Sequence, residues 1–189
     1  MSERLYPHWV TAALCMAVFL ALMIPALAIS WPPAVLMIFL QAPLYMLHQV
    51  EEHTGDRFRA FVNGRAYHGR EALTPQAVLW INIPGVWGIT LLSLYAAEFA
   101  GPGWGLAAVY LVLVNGVIHV VTALVQRAYN PGLWTAVIAF LPAGGTALWI
   151  VSALPAVHGA QHAVGLGIAL AIHVAIIVHV QARVRMMAA

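Results

Sequence analysis

Residues 9–29 read WVTAALCMAVFLALMIPALAI, a run of 21 residues without a charged side chain. A transmembrane helix needs about 20 predominantly apolar residues, so this run is long enough to cross the hydrocarbon core of a bilayer. A secretory signal peptide would have a shorter apolar core and a small-residue cleavage site. We therefore predict that the run forms a first membrane helix over residues 9–30.

The composition of the whole chain favours the same fold class. Of its 189 residues, 63% are hydrophobic and only 7% are charged, whereas a soluble domain carries about 25% charged residues. A protein this apolar cannot keep a solvated surface, so lipid must be its solvent. The formal charge of +2 is too small to indicate a nucleic-acid partner. The single cysteine excludes a disulfide within the chain and argues against a cysteine metal site.

Turn-forming residues divide the rest of the chain into five more apolar segments. Thr74-Pro75 provides an N-cap followed by proline at the first helical position. Gly101-Pro102-Gly103 and Asn130-Pro131-Gly132 form turns between later segments. We predict an all-α, polytopic membrane protein of one domain, a compact bundle of six transmembrane helices joined after the second by a polar segment at 55–73. The predicted helices are 9–30, 34–54, 74–98, 104–127, 132–154 and 161–183.

The positions of the basic residues test this division. All eight basic residues are arginine, and with six spans all of them fall on one side of the membrane, while the three opposite loops contain none. They are Arg4, Arg57, Arg59, Arg65, Arg70, Arg127, Arg183 and Arg185. The positive-inside rule makes that side cytoplasmic. We therefore expect a multi-pass protein of a cell (inner) membrane, surrounded by membrane lipid, with both termini in the cytoplasm.

One face of the second predicted helix carries ionisable groups. At 100° per residue, His48, Glu51 and Glu52 occupy about 100° of arc. Tyr45 falls on the same stripe, whereas His53 is expected to point well away from it. Ionisable groups inside a membrane cost at least a few kcal/mol each, and the default interpretation of such residues is functional.

Polar groups also interrupt the fourth and sixth predicted helices. Asn115, His119, Thr122 and Gln126 fall within about 60° of arc on an otherwise apolar fourth helix. His173 lies in the sixth predicted helix. Each of these helices therefore offers at least one imidazole to the interior of the bundle.

The depth of the histidines predicts that they meet. Measured from the nearest following arginine at 1.5 Å per residue, His48, His119 and His173 lie roughly 12–15 Å inside the membrane boundary. Glu51 and Glu52 lie about one turn below them. Three imidazoles at one level, with two carboxylates about one turn below, could converge on one point, and they are ligand types that suit zinc, iron or manganese. The charge of a metal ion would also explain how adjacent carboxylates remain ionised at low dielectric.

The same residues are also compatible with roles that need no metal. Glu51 and Glu52 suit the headgroup zone, where they would pair with the arginines that follow them. His173 alone is equally well explained as an interhelical hydrogen-bonding residue. Asn115 would either bond a neighbouring backbone group or orient a ligand.

Three ordered motifs resemble one protein family. The run His48-x-x-Glu51-Glu52 resembles the signature of the HXXEE family of uncharacterised multi-pass membrane proteins. The later elements Asn115-x-x-x-His119 and Tyr129-Asn130-Pro131-Gly132 are similar to that family as well. The resemblance extends from the second helix to the start of the fifth. It implies a compact membrane bundle and no established activity, and it points to His48, Glu51, Glu52, Asn115 and His119.

This chemistry favours a membrane metalloenzyme that acts on a lipid-like or other hydrophobic small molecule. One or two divalent ions, zinc or iron above all, would lie near the cytoplasmic face. One glutamate would act as general base on a metal-bound water in a hydrolysis, or a redox metal would activate oxygen for an oxidation. The candidate metal ligands are His48, Glu51, Glu52, His119 and His173. The candidate catalytic residues are Glu51, Glu52, Asn115 and Tyr45.

Two alternatives use the same residues without a metal. In a metal-free isomerase or cyclase, His119 and a proton-sharing pair of Glu51 and Glu52 would protonate and deprotonate a terpenoid-like substrate. In a proton-coupled carrier, they would form a relay. The segment 55–73 would either cover the site and receive an anionic head group or remain a solvated loop.

Overall fold

The computed structural model describes residues 6–187 and contains six helices long and apolar enough to cross a membrane. No strand occurs among these residues, so the predicted all-α, six-helix class is confirmed. Of the arginines that orient the chain, Arg4 lies outside the described residues. We number the helices in chain order: α1 Trp9–Leu27, α2 Pro33–His53, α3 Pro75–Ala100, α4 Leu106–Gln126, α5 Leu133–Ser152 and α6 Gly159–Met186.

Proline and threonine define where α2 and α3 begin. Pro33 occupies the first turn of α2, where its missing N–H costs no helical hydrogen bond. At the start of α3, the Thr74 hydroxyl accepts a hydrogen bond of 3.1 Å from the backbone N–H of Ala77. Pro75 follows it as the first helical residue. The N-cap that the sequence predicts is therefore present in the structure.

Two helices widen into π-helical turns beside α2. The first covers Ile81–Trp87 in α3, and the second covers Ala136–Phe140 in α5. The first turn contains the buried Asn82, whose Oδ1 accepts a hydrogen bond of 2.9 Å from Gln49 of α2. Such π-turns occur frequently at functional sites. Here they bring α3 and α5 against the polar end of α2.

Helices α2 and α4 form the centre of the bundle. Helix α2 is the most buried of the six, and α4 packs against α2, α3, α5 and α6. Large apolar side chains such as Leu22, Phe99 and Leu124 instead face outward. The polar stripes of α2 and α4 therefore turn into the protein, where they can meet, except that Gln126 at the end of α4 is exposed.

A folded connecting segment, residues 54–74, lies across the end of the bundle where α2 ends and α3 begins. Gly55 and Asp56 have positive φ angles of 66° and 62°, which turn the chain back. The segment then forms the helical turns Arg57–Phe61 and Val62–Ala66. The Asn63 side chain both donates to and accepts from the backbone of Leu73, at 2.9 and 2.8 Å. Because the arginine-bearing loops also lie here, we call this the arginine end.

Candidate metal centre

The last turns of α2 place an imidazole and a carboxylate on one buried face. His48 and Glu52 are four residues apart, the spacing at which helical side chains are neighbours. His48 has no exposed surface, and Glu52 retains 4%. His48 Nε2 lies 3.5 Å from Glu52 Oε2. The polar face that the sequence predicts on α2 is thus turned into the protein.

Helix α4 supplies a second imidazole to the same point. His119 is also buried, and its Nε2 lies 3.1 Å from Glu52 Oε1. The ring centroids of His48 and His119 are 4.8 Å apart. One ligand atom from each of the three residues lies within 4.8 Å of the other two. We call His48, Glu52 and His119 the His-Glu-His group.

Asn130 determines which nitrogen of His119 carries hydrogen. Its amide Nδ2 donates to the backbone carbonyl of His119 at 2.9 Å, which leaves Oδ1 as the acceptor. His119 Nδ1 lies 2.6 Å from that Oδ1 and must therefore be the donor. In the neutral ring, Nε2 is then unprotonated and faces Glu52.

Thr135 and Glu51 orient His48 in the same way. The Thr135 hydroxyl donates to Glu51 Oε2 at 2.5 Å, because a carboxylate can only accept. Its oxygen then accepts a hydrogen bond of 2.7 Å from His48 Nδ1–H. Chains of this kind, from an imidazole through its second nitrogen to a carboxylate, orient histidine ligands at metal sites.

In their neutral forms, both imidazoles therefore present an unprotonated Nε2 to the Glu52 carboxylate. His48 Nε2 has no hydrogen-bond partner among the described residues. Lone pairs that converge in a buried space repel one another unless a proton or a cation lies between them. The separations of 3.1 and 3.5 Å, which go to the two different oxygens of Glu52, are near the roughly 3.3 Å between ligand atoms of a tetrahedral zinc ion with bonds of about 2.0–2.1 Å. The three ligand atoms all lie within 4.8 Å of one another. The donor set and its spacing fit a metal ion.

The loop between α4 and α5 closes the group from one side. Gly132 has a φ of 98°, a left-handed conformation that favours glycine. A Cβ at this position would lie 2.7 Å from Cε1 of both His48 and His119 and 2.9 Å from Glu52 Cγ. The backbone at Gly132 thus rests directly on the three side chains.

The motif and the loop lie in a region of the chain that matches a known protein family. A family model described as a protein of unknown function with HXXEE motif matches residues 39–147, more than half of the chain. The chain belongs to the HXXEE family. No curated protein and no solved structure matches it significantly. The matched region contains the whole His-Glu-His group and the Gly132 loop, and it excludes α6.

The two acids of the HXXEE motif have different positions. Glu52 joins the two histidines, whereas Glu51 turns towards the start of α5 and lies outside the group. The Glu51 carboxylate accepts hydrogen bonds from the backbone N–H groups of Trp134 and Thr135, at 3.1 and 2.7 Å. It also accepts from the Tyr129 hydroxyl at 2.9 Å. Glu51 therefore caps the N-terminus of α5 and supports Thr135, a role that the sequence pattern does not predict.

The remaining candidate residues line a cavity beside the group. Asn115 Nδ2 donates to the Tyr45 hydroxyl at 2.8 Å, so these two polar side chains form a pair. His173 of α6 borders the same cavity but does not join the His-Glu-His group. Its Nδ1 hydrogen-bonds the carbonyl of Ala169, one turn earlier in α6, at 2.8 Å. The predicted convergence thus holds for two of the three histidines.

One expectation about α2 is wrong. Helical phase predicts that His53 points away from Glu52, but its Nε2 lies 3.5 Å from Glu52 Oε2. His53 is the last residue of α2, and its ring packs on Trp9 of α1 with centroids 4.9 Å apart. The side chain therefore bends back toward its neighbour in the chain. Helical phase alone does not predict this at the end of a helix.

Tyr129, in the loop between α4 and α5, is held as a hydrogen-bond donor. Burial, and then its hydrogen bond to the Glu51 carboxylate, raise the pKa of the Tyr129 hydroxyl above its usual value. The phenol therefore stays protonated and donates to Glu51 over the ordinary pH range. This contact and the Asn130 contacts attach the loop to both α2 and α4.

A cavity of about 360 Å³ adjoins the His-Glu-His group. Glu52 and His119 line it, and His48 lies behind them. Most of the wall is apolar and comes from α3, α4, α6 and the connecting segment, for example Val78, Leu111, Ile176 and Phe61. The connecting segment is therefore part of the cavity wall. Such an apolar pocket with few polar groups is typical of a small-molecule site.

Proposed function

We propose that this chain is a membrane-embedded, metal-dependent enzyme that acts on a hydrophobic substrate. The observation that carries the proposal is the convergence of two imidazole Nε2 atoms, from rings whose Nδ1 atoms are already hydrogen-bonded, on one buried carboxylate. Two histidines and one carboxylate form the ligand set of several catalytic zinc sites and of mononuclear non-haem iron sites. The proposed ligands are His48, Glu52 and His119, and one ion fits between them.

The cavity supports a catalytic rather than a structural role. Three protein ligands leave a coordination position free, as catalytic sites do. Glu52 and His119 border the cavity, so an ion held by them would be within reach of a molecule in it. A divalent ion there supplies Lewis acidity for hydrolysis or, if it is iron, the redox chemistry of an oxygen-dependent oxidation.

The remaining polar residues have roles that follow from their positions. Glu51 is engaged at the start of α5 and Glu52 belongs to the His-Glu-His group, so neither is free as a general base. The Nδ1–H of His173 donates to Ala169, which leaves Nε2 as a base on the cavity wall. Tyr45 and Asn115 orient the substrate, and the apolar wall excludes water from the reacting groups.

We place the protein in a cell (inner) membrane with its arginine end in the cytoplasm. The support is the clustering of all eight arginines of the sequence on one side of six apolar spans. The proposed site then lies in the inner leaflet, where a membrane-resident substrate would reach it.

The decisive test is the metal content of the protein purified in detergent. We expect about one equivalent of zinc or iron per chain by elemental mass spectrometry, because the group forms one buried set of three ligands. Glu52→Gln, which keeps the shape of the side chain, and His119→Ala should each lower the occupancy at least tenfold. His179→Ala removes an exposed imidazole of α6 and serves as the matched control.

Circular dichroism and thermal unfolding separate metal loss from misfolding in these variants. Wild-type protein that stays below a tenth of an equivalent, even after incubation with zinc, ferrous iron and manganese, would overturn the proposal. Occupancy that Glu52→Gln and His119→Ala leave unchanged, with the fold intact, would overturn the ligand assignment.

One observation favours a second candidate, a metal-free acid–base isomerase or cyclase. The 3.1 Å between His119 Nε2 and Glu52 Oε1 also fits a hydrogen bond if His119 carries a second proton. Activity that survives chelators would support it. A carrier is less well supported, because Leu111, Val112 and Phe140 are fully buried in one apolar cluster that extends from the site into the bundle.

A further inference from the structure

Exposed side chains of α4 and α6 border the cavity on its side between these two helices. Near the far end, the two helices touch: a Cβ at Gly165 would lie 3.0 Å from the carbonyl carbon of Leu106. Towards the arginine end, the cavity lies between them. Ile118 of α4 and Ile177 of α6 both border the cavity and are 40% and 50% exposed. These two side chains mark the side on which a molecule dissolved in the bilayer would approach the cavity.

The volume of the cavity limits what it holds. At about 30 Å³ for a group the size of a water molecule or a methylene, the 360 Å³ accommodates roughly a dozen such groups. A diacyl phospholipid is several times larger. One apolar chain of medium length is the occupant that fits.

The wall carries a polar stripe along α4, and apart from Glu52 its other polar side chains are uncharged residues and histidines. Asn115, Thr122 and Gln126 border the cavity along α4, together with His119. Within residues 6–187, no arginine borders it, and Glu52 is its one acidic residue. A free carboxylate or phosphate head group would meet no opposite charge from the protein, so the wall favours a neutral head.

Tyr45 and Asn115 favour a hydroxyl as that head group. The Tyr45 oxygen accepts from Asn115 and still has its own hydrogen to donate. The Asn115 Oδ1 is buried and has no hydrogen-bond partner among the described residues. One donor and one acceptor thus remain unused on two neighbouring residues that line the cavity. A hydroxyl satisfies both, whereas a ketone or ester oxygen can only accept.

We propose that the substrate of the site is a single-chain lipid alcohol that enters from the bilayer between α4 and α6. Its hydroxyl lies between Tyr45 and Asn115, beside the His-Glu-His group, and its chain extends along α6 towards the connecting segment. Calling the bound alcohol a substrate rests on the proposed function. Its binding in the cavity does not require a metal.

Photoaffinity labelling in lipid nanodiscs tests the proposal. The probe is a twelve-carbon alcohol with a diazirine in its chain and a terminal alkyne, and adducts are mapped by peptide mass spectrometry. We expect adducts on cavity residues of α6 and the connecting segment. Ile177→Trp should reduce them at least tenfold by filling the opening. Val178→Trp places the same ring on the lipid-facing side of α6 and should change them less than twofold.

The head group is tested with matched probes and with Tyr45→Phe. We expect Tyr45→Phe to reduce labelling by the alcohol at least fivefold, and we expect the carboxylic-acid and phosphatidylcholine forms of the probe not to label the cavity. Adducts confined to lipid-facing residues, equal labelling by the acid or the phospholipid, or no effect of Ile177→Trp would each overturn the proposal.

Metal content is measured on the same samples, with and without chelator. Labelling of untreated wild-type protein that holds no metal as purified or after incubation with metal ions would refute the proposed function alone, and a loaded protein without cavity adducts would refute this inference alone.

Discussion

Gly132→Ala tests most directly whether the loop between α4 and α5 holds the His-Glu-His group in place. The substitution adds a single methyl group at the point where the backbone rests on His48, Glu52 and His119. No ligand atom is removed. Any loss of metal therefore reports on geometry alone.

The size of the effect follows from the contacts. A non-glycine residue in the left-handed region costs about 1–2 kcal/mol. The new Cβ would also lie 2.7 Å from two ring carbons, so the loop or the rings must move about 0.8 Å to reach the normal separation of at least ~3.5 Å. We expect a loss of about 2–4 kcal/mol in the free energy of unfolding. Since both ligand rings are displaced, metal affinity should fall about 10–100-fold.

Competition with a chelator of known affinity measures the metal, and thermal unfolding in detergent measures stability. Gly145→Ala is the matched control, because a Cβ there meets nothing within 4 Å and the residue lies inside helix α5. It should leave metal affinity unchanged and leave stability equal or higher. A Gly132→Ala protein with the metal affinity and melting temperature of the wild type would refute the packing argument.

Three further substitutions separate orienting residues from ligands. Asn130→Ala removes the acceptor for His119 Nδ1–H and should lower metal affinity about 10–100-fold, whereas Asn130→Asp, which keeps an acceptor, should retain most of the affinity. If Asn130→Ala leaves the affinity unchanged in chelator competition, the assigned tautomer of His119 is wrong. Thr135→Val should lower affinity about tenfold by releasing His48, and Thr135→Ser, which keeps the hydroxyl, should not. Glu51→Gln should cost about 1–2 kcal/mol in thermal unfolding by weakening the cap of α5 while one metal ion is retained; loss of the ion in elemental analysis would make Glu51 a ligand after all.

The six-helix membrane fold could be predicted from the sequence because the features that indicate it are local and occur repeatedly along the chain. The length of an apolar run can be counted directly in the sequence. Thr74-Pro75 defines the start of α3 through contacts within one helical turn. Tertiary contacts determine the features that were harder to predict. The connecting segment is polar in composition, yet it folds into helical turns because Phe58 and Phe61 find an apolar wall to cover.

The site was predictable only in part, for a physical reason. Helical phase and depth correctly bring His48, Glu52 and His119 to one place, since both depend on regular geometry. They fail where a side chain has a nearer partner. His173 lies at the expected level, but it bonds the carbonyl of Ala169 in its own helix. Thr135 carries no signal in the sequence, because its role exists only once α5 packs against α2.

The two adjacent glutamates of the motif have different proposed roles: one orients a histidine, and the other binds the metal ion. Neighbouring residues on a helix point about 100° apart, so Glu51 and Glu52 must face different partners. Glu51 reaches α5, where backbone N–H groups and the Thr135 hydroxyl stabilise its charge. Glu52 faces α4 and meets only imidazoles, 3.1 and 3.5 Å away. A carboxylate so placed keeps its charge only with a protonated neighbour or a cation nearby, and for this reason we propose Glu52 as the ligand and Glu51 as the residue that orients His48.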